Sequence, residues 1–284
     1  CRKSRFIPEN AIQCACRNRG DSVGYLGTDF IEAGRGEKVI LVHSSVAGAK
    51  QWRSLMEALA GDFHVIAVNL FGYGKTRAWD ASRPQRLEDQ ARLLEPFLSE
   101  GGQFSIVGHS FGGCVAMKAA SLFKGQVRRL ALIEPNPFYL LNEYGRTKAY
   151  AEALALRDLV KSNGRAGTWE IAAEGFADYW TGAGSWNAMP EDRRTKFSDA
   201  LKPNFHEWEA VMNEQTSLRD WERDLPKDTT VLSAADTVHS ITELVALLQE
   251  QVSGWTFERI DKGGHMAIMT KPEKLNPLVI SALR

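Results

Sequence analysis

Residues 103–113 read Gln-Phe-Ser-Ile-Val-Gly-His-Ser-Phe-Gly-Gly. Gln103–Val107 is a short apolar run with the character of a buried strand. It ends in Gly108-His109-Ser110-Phe111-Gly112, which matches G-x-S-x-G. Gly112–Phe123 follows and is small and apolar enough for a buried helix. Strand, serine turn and helix thus come in the order that lifts a serine hydroxyl above a sheet edge. Side chains two residues either side of such a serine collide, and Gly108 and Gly112 have none. The N–H of Phe111 then falls at a helix N-terminus, suited to a developing oxyanion. By itself the pattern also fits a plain glycine-rich turn; the flanking elements carry the reading.

The flanks repeat that alternation. Lys38–His43 and Phe63–Leu70 read as buried strands, with helical spacing over Gln51–Ala60 between them. Leu87–Leu98 predicts an amphipathic helix, and Val127–Glu134 a fourth strand. Strands alternating with helices predict a parallel sheet with right-handed crossovers. From Pro135 to about Leu225 the strand patterns stop. Tyr150–Lys161, Thr168–Trp180 and Glu191–Leu201 predict helices, and five of the eight Trp fall here: Trp169, Trp180, Trp186, Trp208 and Trp221. Thr229–Ala234 and Trp255–Ile260 restore strands around a helix near Thr242–Gln251, and Leu275–Leu283 predicts a last helix. The expected organisation is an arm over 1–20, an α/β core over 21–135 and 226–284, and a helical lid inserted over 136–225. Ser22–Glu32 alternates like an additional strand.

Composition narrows the function classes. The chain has 284 residues, 44% hydrophobic and 25% charged, values that exclude a disordered chain or a coiled-coil rod. Thirty-five basic residues balance thirty-five acidic ones, so no general positive field exists to hold nucleic acid. No apolar run is long enough to cross a bilayer. Cys1, Cys14, Cys16 and Cys114 make no disulfide framework, and no apolar signal core follows Arg2, Lys3 and Arg5. The expected location is the cytoplasm, the expected partner a small-molecule substrate. A homo-oligomer stays open.

A serine needs a base. Of the six histidines, His265 in Gly263-Gly264-His265-Met266 follows the last strand, where a loop can hang over Ser110. Two carboxylates compete to orient it. Asp236 follows the strand Thr229–Ala234 and lies between serine and histidine in the chain; Glu134 ends the strand Val127–Glu134. Asp236 is favoured. The second oxyanion donor is expected in the loop His43-Ser44-Ser45-Val46-Ala47-Gly48, at the N–H of Ser45. Ser44 offers either a polar substrate contact or a satisfied turn. Trp180 and Trp186 are candidate substrate contacts, against the alternative that the lid aromatics only pack on each other.

Taken together, the strand end His43, the turn Asn69–Thr76, the elbow Gly108–Gly113, Leu132-Ile133-Glu134-Pro135 and Gly264-His265-Met266 resemble the serine-nucleophile α/β-hydrolases with a helical lid. The resemblance runs from about Ser22 to Arg284. It implies an eight-stranded, mostly parallel sheet flanked by helices, and hydrolysis through an acyl-enzyme without cofactor or metal. Lid members include esterases, lactonases, thioesterases, amidases and carbon–carbon hydrolases. The last usually carry Trp after the histidine, where this chain has Met266. Haloalkane dehalogenases place aspartate at the elbow, where this chain has Ser110. The residue after His43 is usually Gly, and here it is Ser44. Within the family, acids occur after either candidate strand, so the choice between Asp236 and Glu134 stays open. The expected function is hydrolysis of a small or medium, largely apolar ester, thioester or lactone. The alternatives are carbon–carbon bond hydrolysis and a ligand receptor with an idle triad.

Two other signals lead nowhere. Gly74-Lys75-Thr76 imitates a phosphate loop but lacks its first glycine, because position 69 is Asn69. His206-Glu207-Trp208-Glu209-Ala210 imitates a zinc-protease helix but has Ala210 for the second histidine.

Overall fold

The computed structural model describes residues 13–14, 27–98 and 102–284. Most of the expected arm over 1–20, and the start of the strand expected from Ser22, lie outside the described residues. Seven strands of four to seven residues build the sheet: β2 (Phe30–Ala33), β3 (Glu37–Val42), β4 (Phe63–Val68), β5 (Phe104–His109), β6 (Val127–Ile133), β7 (Thr229–Ala234) and β8 (Thr256–Ile260). A two-residue β1 (Gln13–Cys14) pairs with β2 at one edge, and the order is β1-β2-β4-β3-β5-β6-β7-β8. β1 and β2 run antiparallel to their neighbours; β3 to β8 are parallel.

The apolar runs are continuous because this sheet is covered on both faces. Val39, Ile40, Leu41 and Val42 are all fully buried. Ile40 and Val42 enter one hydrophobic core while Val39 and Leu41 enter the other, as period-two alternation requires. The chain moves from β3 outward to β4, then returns to β5 on the other side of β3. That reversal opens a crevice at the C-terminal ends of β3 and β5, where ligands bind in sheets of this kind.

Helix α1 (Arg53–Leu59) follows a 3-10 turn over Ala49–Trp52. The single helix expected over Leu87–Leu98 is instead α2 (Leu87–Ala91) followed by a 3-10 stretch, Arg92–Phe97. Pro96 lies in that stretch and has no N–H to continue an α-helical ladder. Helix α3 (Phe111–Leu122) leaves the serine turn directly.

Every element described between β6 and β7 is helical: α4 (Tyr139–Glu143), α5 (Thr147–Ala166), α6 (Trp169–Thr181), α7 (Glu191–Leu201), α8 (Asn204–Met212) and α9 (Leu218–Asp224). Periodicity marked α5, α6 and α7. It missed α8, whose inward face includes the polar Asn204 and Glu207 and so breaks the apolar stripe. Helices α10 (His239–Gln251), α11 (Ala267–Thr270) and α12 (Pro272–Ala282) complete the chain.

Candidate active site

Ser110 sits between β5 and α3 with φ 56° and ψ −122°, a conformation non-glycine residues rarely adopt. The turn is held from both sides. Ser110 N–H donates to the Ile133 carbonyl at 2.9 Å, and Gly113 N–H donates to the Ser110 carbonyl at 2.8 Å. A Cβ on Gly112 would lie 2.3 Å from the carbonyl oxygens of Val42 and His43; one on Gly108 would lie 2.4 Å from the Gly112 carbonyl. The glycines therefore let α3 close onto the ends of β3 and β5.

His265 follows β8 and is 3% exposed. Its Nε2 lies 2.8 Å from Ser110 Oγ and its Nδ1 lies 2.7 Å from Glu134 Oε2. An ionised carboxylate only accepts, so Nδ1 carries the proton to Glu134 and Nε2 is left to accept from the serine. Glu134 is 1% exposed and is satisfied on both oxygens. Oε1 accepts from the Ala234 N–H at 2.8 Å, and Oε2 also accepts from the Thr237 hydroxyl at 2.7 Å.

The acid that touches His265 is thus Glu134 and not the favoured Asp236. The exposed Asp236 carboxylate accepts the N–H groups of Gly263 and Gly264, at 2.9 and 2.8 Å from its Oδ1. Those bonds hold its pKa below the ordinary value, the Gly264 bond foremost. Asp236 shapes the loop that delivers His265 and does not reach the ring. The sheet explains the outcome. β5 and β6 are neighbours with His109 opposite Ile133, so the next residues, Ser110 and Glu134, emerge side by side. β7 is one strand further away.

Two other histidines brace the site. His43 accepts the Leu70 N–H on Nε2, and its Nδ1 lies 2.7 Å from the Ser44 carbonyl. Burial pushes its pKa down to about 4, so the ring is neutral. His109, also fully buried, donates from Nε2 to the His265 carbonyl at 2.9 Å. Burial first, then the neighbouring His265, hold its pKa well below the ordinary value.

Phe111 opens α3, so its N–H belongs to the first-turn groups that have no intrahelical acceptor. Ser45 lies in the loop after β3, beside Val46, which is held at φ 71°. The Val46 N–H donates to the Tyr73 hydroxyl at 3.0 Å. Ser45, Phe111 and Ser110 line one narrow cavity of about 20 Å³ with Asn136, Phe176, Trp180, Trp208 and the α8 pair Asn204 and Glu207. Trp180 stacks on His265, ring centroids 4.0 Å apart and planes 27° from parallel.

Two expected substrate contacts are placed elsewhere. The Ser44 hydroxyl donates to Gln51 at 2.6 Å, which satisfies the turn, and Ser44 does not line the cavity. Trp186 packs edge-on against Phe197 inside the insertion. Asn136, Tyr73, Asn204 and Glu207 were not anticipated. Asn136 directly follows Glu134-Pro135, and its Nδ2 lies 3.5 Å from Ser110 Oγ. Glu207 stood in the stretch that imitates a zinc helix, and its lone carboxylate carried no pattern of its own.

The arrangement can move a proton from a serine to an imidazole beside a cavity lined by Ser45 and Phe111. Comparison with known proteins agrees in class. A sequence profile of the alpha/beta hydrolase family matches residues 39–278, and the chain belongs to that family. Its fold is that of the α/β hydrolases. Over 137 residues it is 35% identical to the 2-hydroxy-6-oxo-6-(2'-aminophenyl)hexa-2,4-dienoic acid hydrolase of Metapseudomonas resinovorans, a match spanning 46% of each chain, about half the length of that relative. It is 23% identical over 250 residues to the (E)-2-((N-methylformamido)methylene)succinate hydrolase of Acinetobacter baylyi, covering 87% of this chain and 90% of the relative. Its fold matches a thermophilic esterase from Thermogutta terrifontis with TM-score 0.69 and 20% identity, over 92% of this chain and 96% of that one. Among the described residues, no helix is long and apolar enough to cross a membrane.

Proposed function

We propose that the protein is a serine hydrolase that cleaves a small or medium ester, thioester or lactone through an acyl-enzyme on Ser110. The carrying observation is the unbroken chain from Glu134 through His265 to Ser110, with both hydrogen bonds below 3 Å. Ser110 Oγ attacks the acyl carbonyl as His265 Nε2 takes its proton. Glu134 holds the ring and stabilises the imidazolium. The N–H groups of Ser45 and Phe111 receive the oxyanion. The imidazolium protonates the leaving oxygen or sulfur, and the acyl group stays on Ser110. Water then gives its proton to Nε2, attacks the acyl carbon, and the acid leaves as Ser110 regains its proton.

The cavity of about 20 Å³ lies far below the roughly 300–1,000 Å³ of ligand pockets. That supports compact substrates, admitted only as the helical insertion, which serves as the lid over about 136–225, moves aside. Carbon–carbon hydrolysis of a dienoic acid, the substrate class in the printed name of one relative, fits less well. Its carboxylate would enter a cavity that holds Glu207 and whose lining has no Lys or Arg. The cysteine usage supports a reducing compartment such as the cytoplasm.

Labelling with a fluorophosphonate tests the assignment. Wild type labels rapidly and turns over p-nitrophenyl esters many times; Ser110→Ala does neither and unfolds like wild type. An alanine variant as active as wild type defeats the proposal, and labelling with one turnover only makes the protein a receptor.

A further inference from the structure

Glu207 is 1% exposed, yet it lines the cavity that holds Ser110. Its Oε1 accepts from the Tyr73 hydroxyl at 2.9 Å, and its Oε2 from Asn204 Nδ2 at 2.8 Å and from the Ser45 hydroxyl at 2.5 Å. All three donors are neutral. Among the described residues no Lys, Arg or His forms an ion pair with it, whereas nearby Glu209 has Lys161 at 2.6 Å. A buried carboxylate without a counter-ion is costly, and burial accordingly raises the Glu207 pKa.

A second observation points the same way. Asn204 is 4% exposed and also lines the cavity. Its Nδ2 donates to both Glu207 and Ser45, so Oδ1 is its remaining acceptor, and that oxygen is buried without a partner. Buried polar atoms are nearly always hydrogen-bonded, so an orphaned acceptor on a cavity-lining side chain marks a place for a donor. This wall of the cavity therefore has one carboxylate lacking a cation and one amide oxygen lacking a donor. The remaining wall is aromatic, with Phe176, Trp180 and Trp208, whose ring faces also attract cations.

We propose that Glu207 and Asn204 form a recognition subsite for a primary ammonium group. The natural substrate is then an amino-bearing acyl compound whose ammonium group lies against α8 while its carbonyl faces Ser110. The subsite itself stands on geometry; only the word substrate rests on the hydrolase reading above. A purely structural tie between α8 and the Ser45 loop needs hydrogen bonds alone, and nothing in that role calls for an unpaired charge or leaves Asn204 Oδ1 empty.

Two experiments separate this subsite from the hydrolase assignment. In the first, kcat/KM is compared for p-nitrophenyl 6-aminohexanoate and p-nitrophenyl heptanoate, which differ in an ammonium against a methyl terminus. Wild type favours the amino ester by at least about tenfold, and Glu207→Gln lowers that ratio by a similar factor. Asn204→Leu, which keeps the carboxylate, lowers the same ratio. A wild-type preference for the heptanoate overturns the proposal. So does an equal loss on both esters in Glu207→Gln, which makes the residue a structural tie. In the second, calorimetry compares hexan-1-amine with hexan-1-ol on Ser110→Ala. Amine binding at least about tenfold tighter, lost in Ser110→Ala/Glu207→Gln, sustains the subsite even if no ester is hydrolysed. Hydrolysis without any amine preference in either experiment overturns the subsite and leaves the hydrolase assignment intact.

Discussion

Replacing Glu134 by Gln should disable the site through its proton inventory rather than its shape. Glu134 offers four acceptor positions and uses three, for Ala234 N–H, Thr237 O–H and His265 Nδ1–H. Gln keeps one oxygen. Ala234 N–H is a fixed donor, so that oxygen stays with it, and the new NH2 group faces Nδ1. Two donors cannot share one hydrogen bond, so the imidazole shifts its proton to Nε2 and can no longer accept from Ser110 Oγ at 2.8 Å. Loss of the correct tautomer in a serine triad lowers kcat by about 10⁴, or about 5.5 kcal/mol of transition-state stabilisation. Asp236→Asn keeps the Oδ1 that accepts both glycine N–H groups and leaves His265 with its acid. Its rate should fall by less than about tenfold. The assay is turnover of p-nitrophenyl butyrate beside the rate of fluorophosphonate labelling, with unfolding by urea as a control for structure. An Asp236→Asn enzyme slowed ten-thousandfold beside an active Glu134→Gln enzyme would refute the reasoning.

Three further outcomes follow from the same geometry. Trp180→Ala removes the ring stacked on His265, and with it about 1–2 kcal/mol of cation–π support for the imidazolium, so kcat should drop about 5- to 30-fold while Trp180→Phe recovers part of the loss; an alanine variant with undiminished kcat sinks this. Gly112→Ala forces a Cβ to within 2.3 Å of two backbone carbonyls and should destabilise by more than about 3 kcal/mol; a wild-type urea midpoint contradicts it. His43 titrates near 4 when folded and near 6.5 when unfolded, so its stabilising contribution is complete above pH 6.5 and is lost as pH falls toward 4. That gap is worth about 3 kcal/mol, and His109 adds to it in the same direction. The urea midpoint should therefore fall from pH 6.5 to pH 4.5, less steeply in His43→Asn, and identical slopes in both proteins dispose of the assignment.

The serine turn and the histidine that meets it were legible because both are local. An apolar strand, a glycine-framed serine and a small-residue helix occupy consecutive positions, and His265 follows the last strand directly. The acid was not legible because it depends on which strand lies beside β5. Glu134 and Asp236 both follow strand patterns, and only the pairing of β5 with β6 distinguishes them. Chain order does not choose between them, since both acids lie between Ser110 and His265. Similarly, Ser44 and Ser45 are equivalent by composition, and only the folded loop, with Ser44 turned to Gln51, shows which of them meets the cavity. The break in the helix expected over Leu87–Leu98 was missed, although Pro96 carried a signal for it. The polar lining of α8 was not legible, since a buried Asn and Glu weaken the periodicity that reveals a helix.

The contacts of Glu207 also bear on how far this protein can be pared down. Its carboxylate fastens a helix of the insertion to Ser45 after β3 and to Tyr73 after β4, two loops far apart in the chain. Excising residues 136–225 to obtain a minimal hydrolase would strip both hydroxyls of their acceptor. It would also remove the indole covering the His265 ring, and the Val46 bend would stand with only Tyr73 behind it. Such a deletion would leave Ser110, Glu134 and His265 in the chain and still dismantle the loop beside them. Redesign of this scaffold is better served by exchanging side chains on α6 and α8 than by transplanting the core without them.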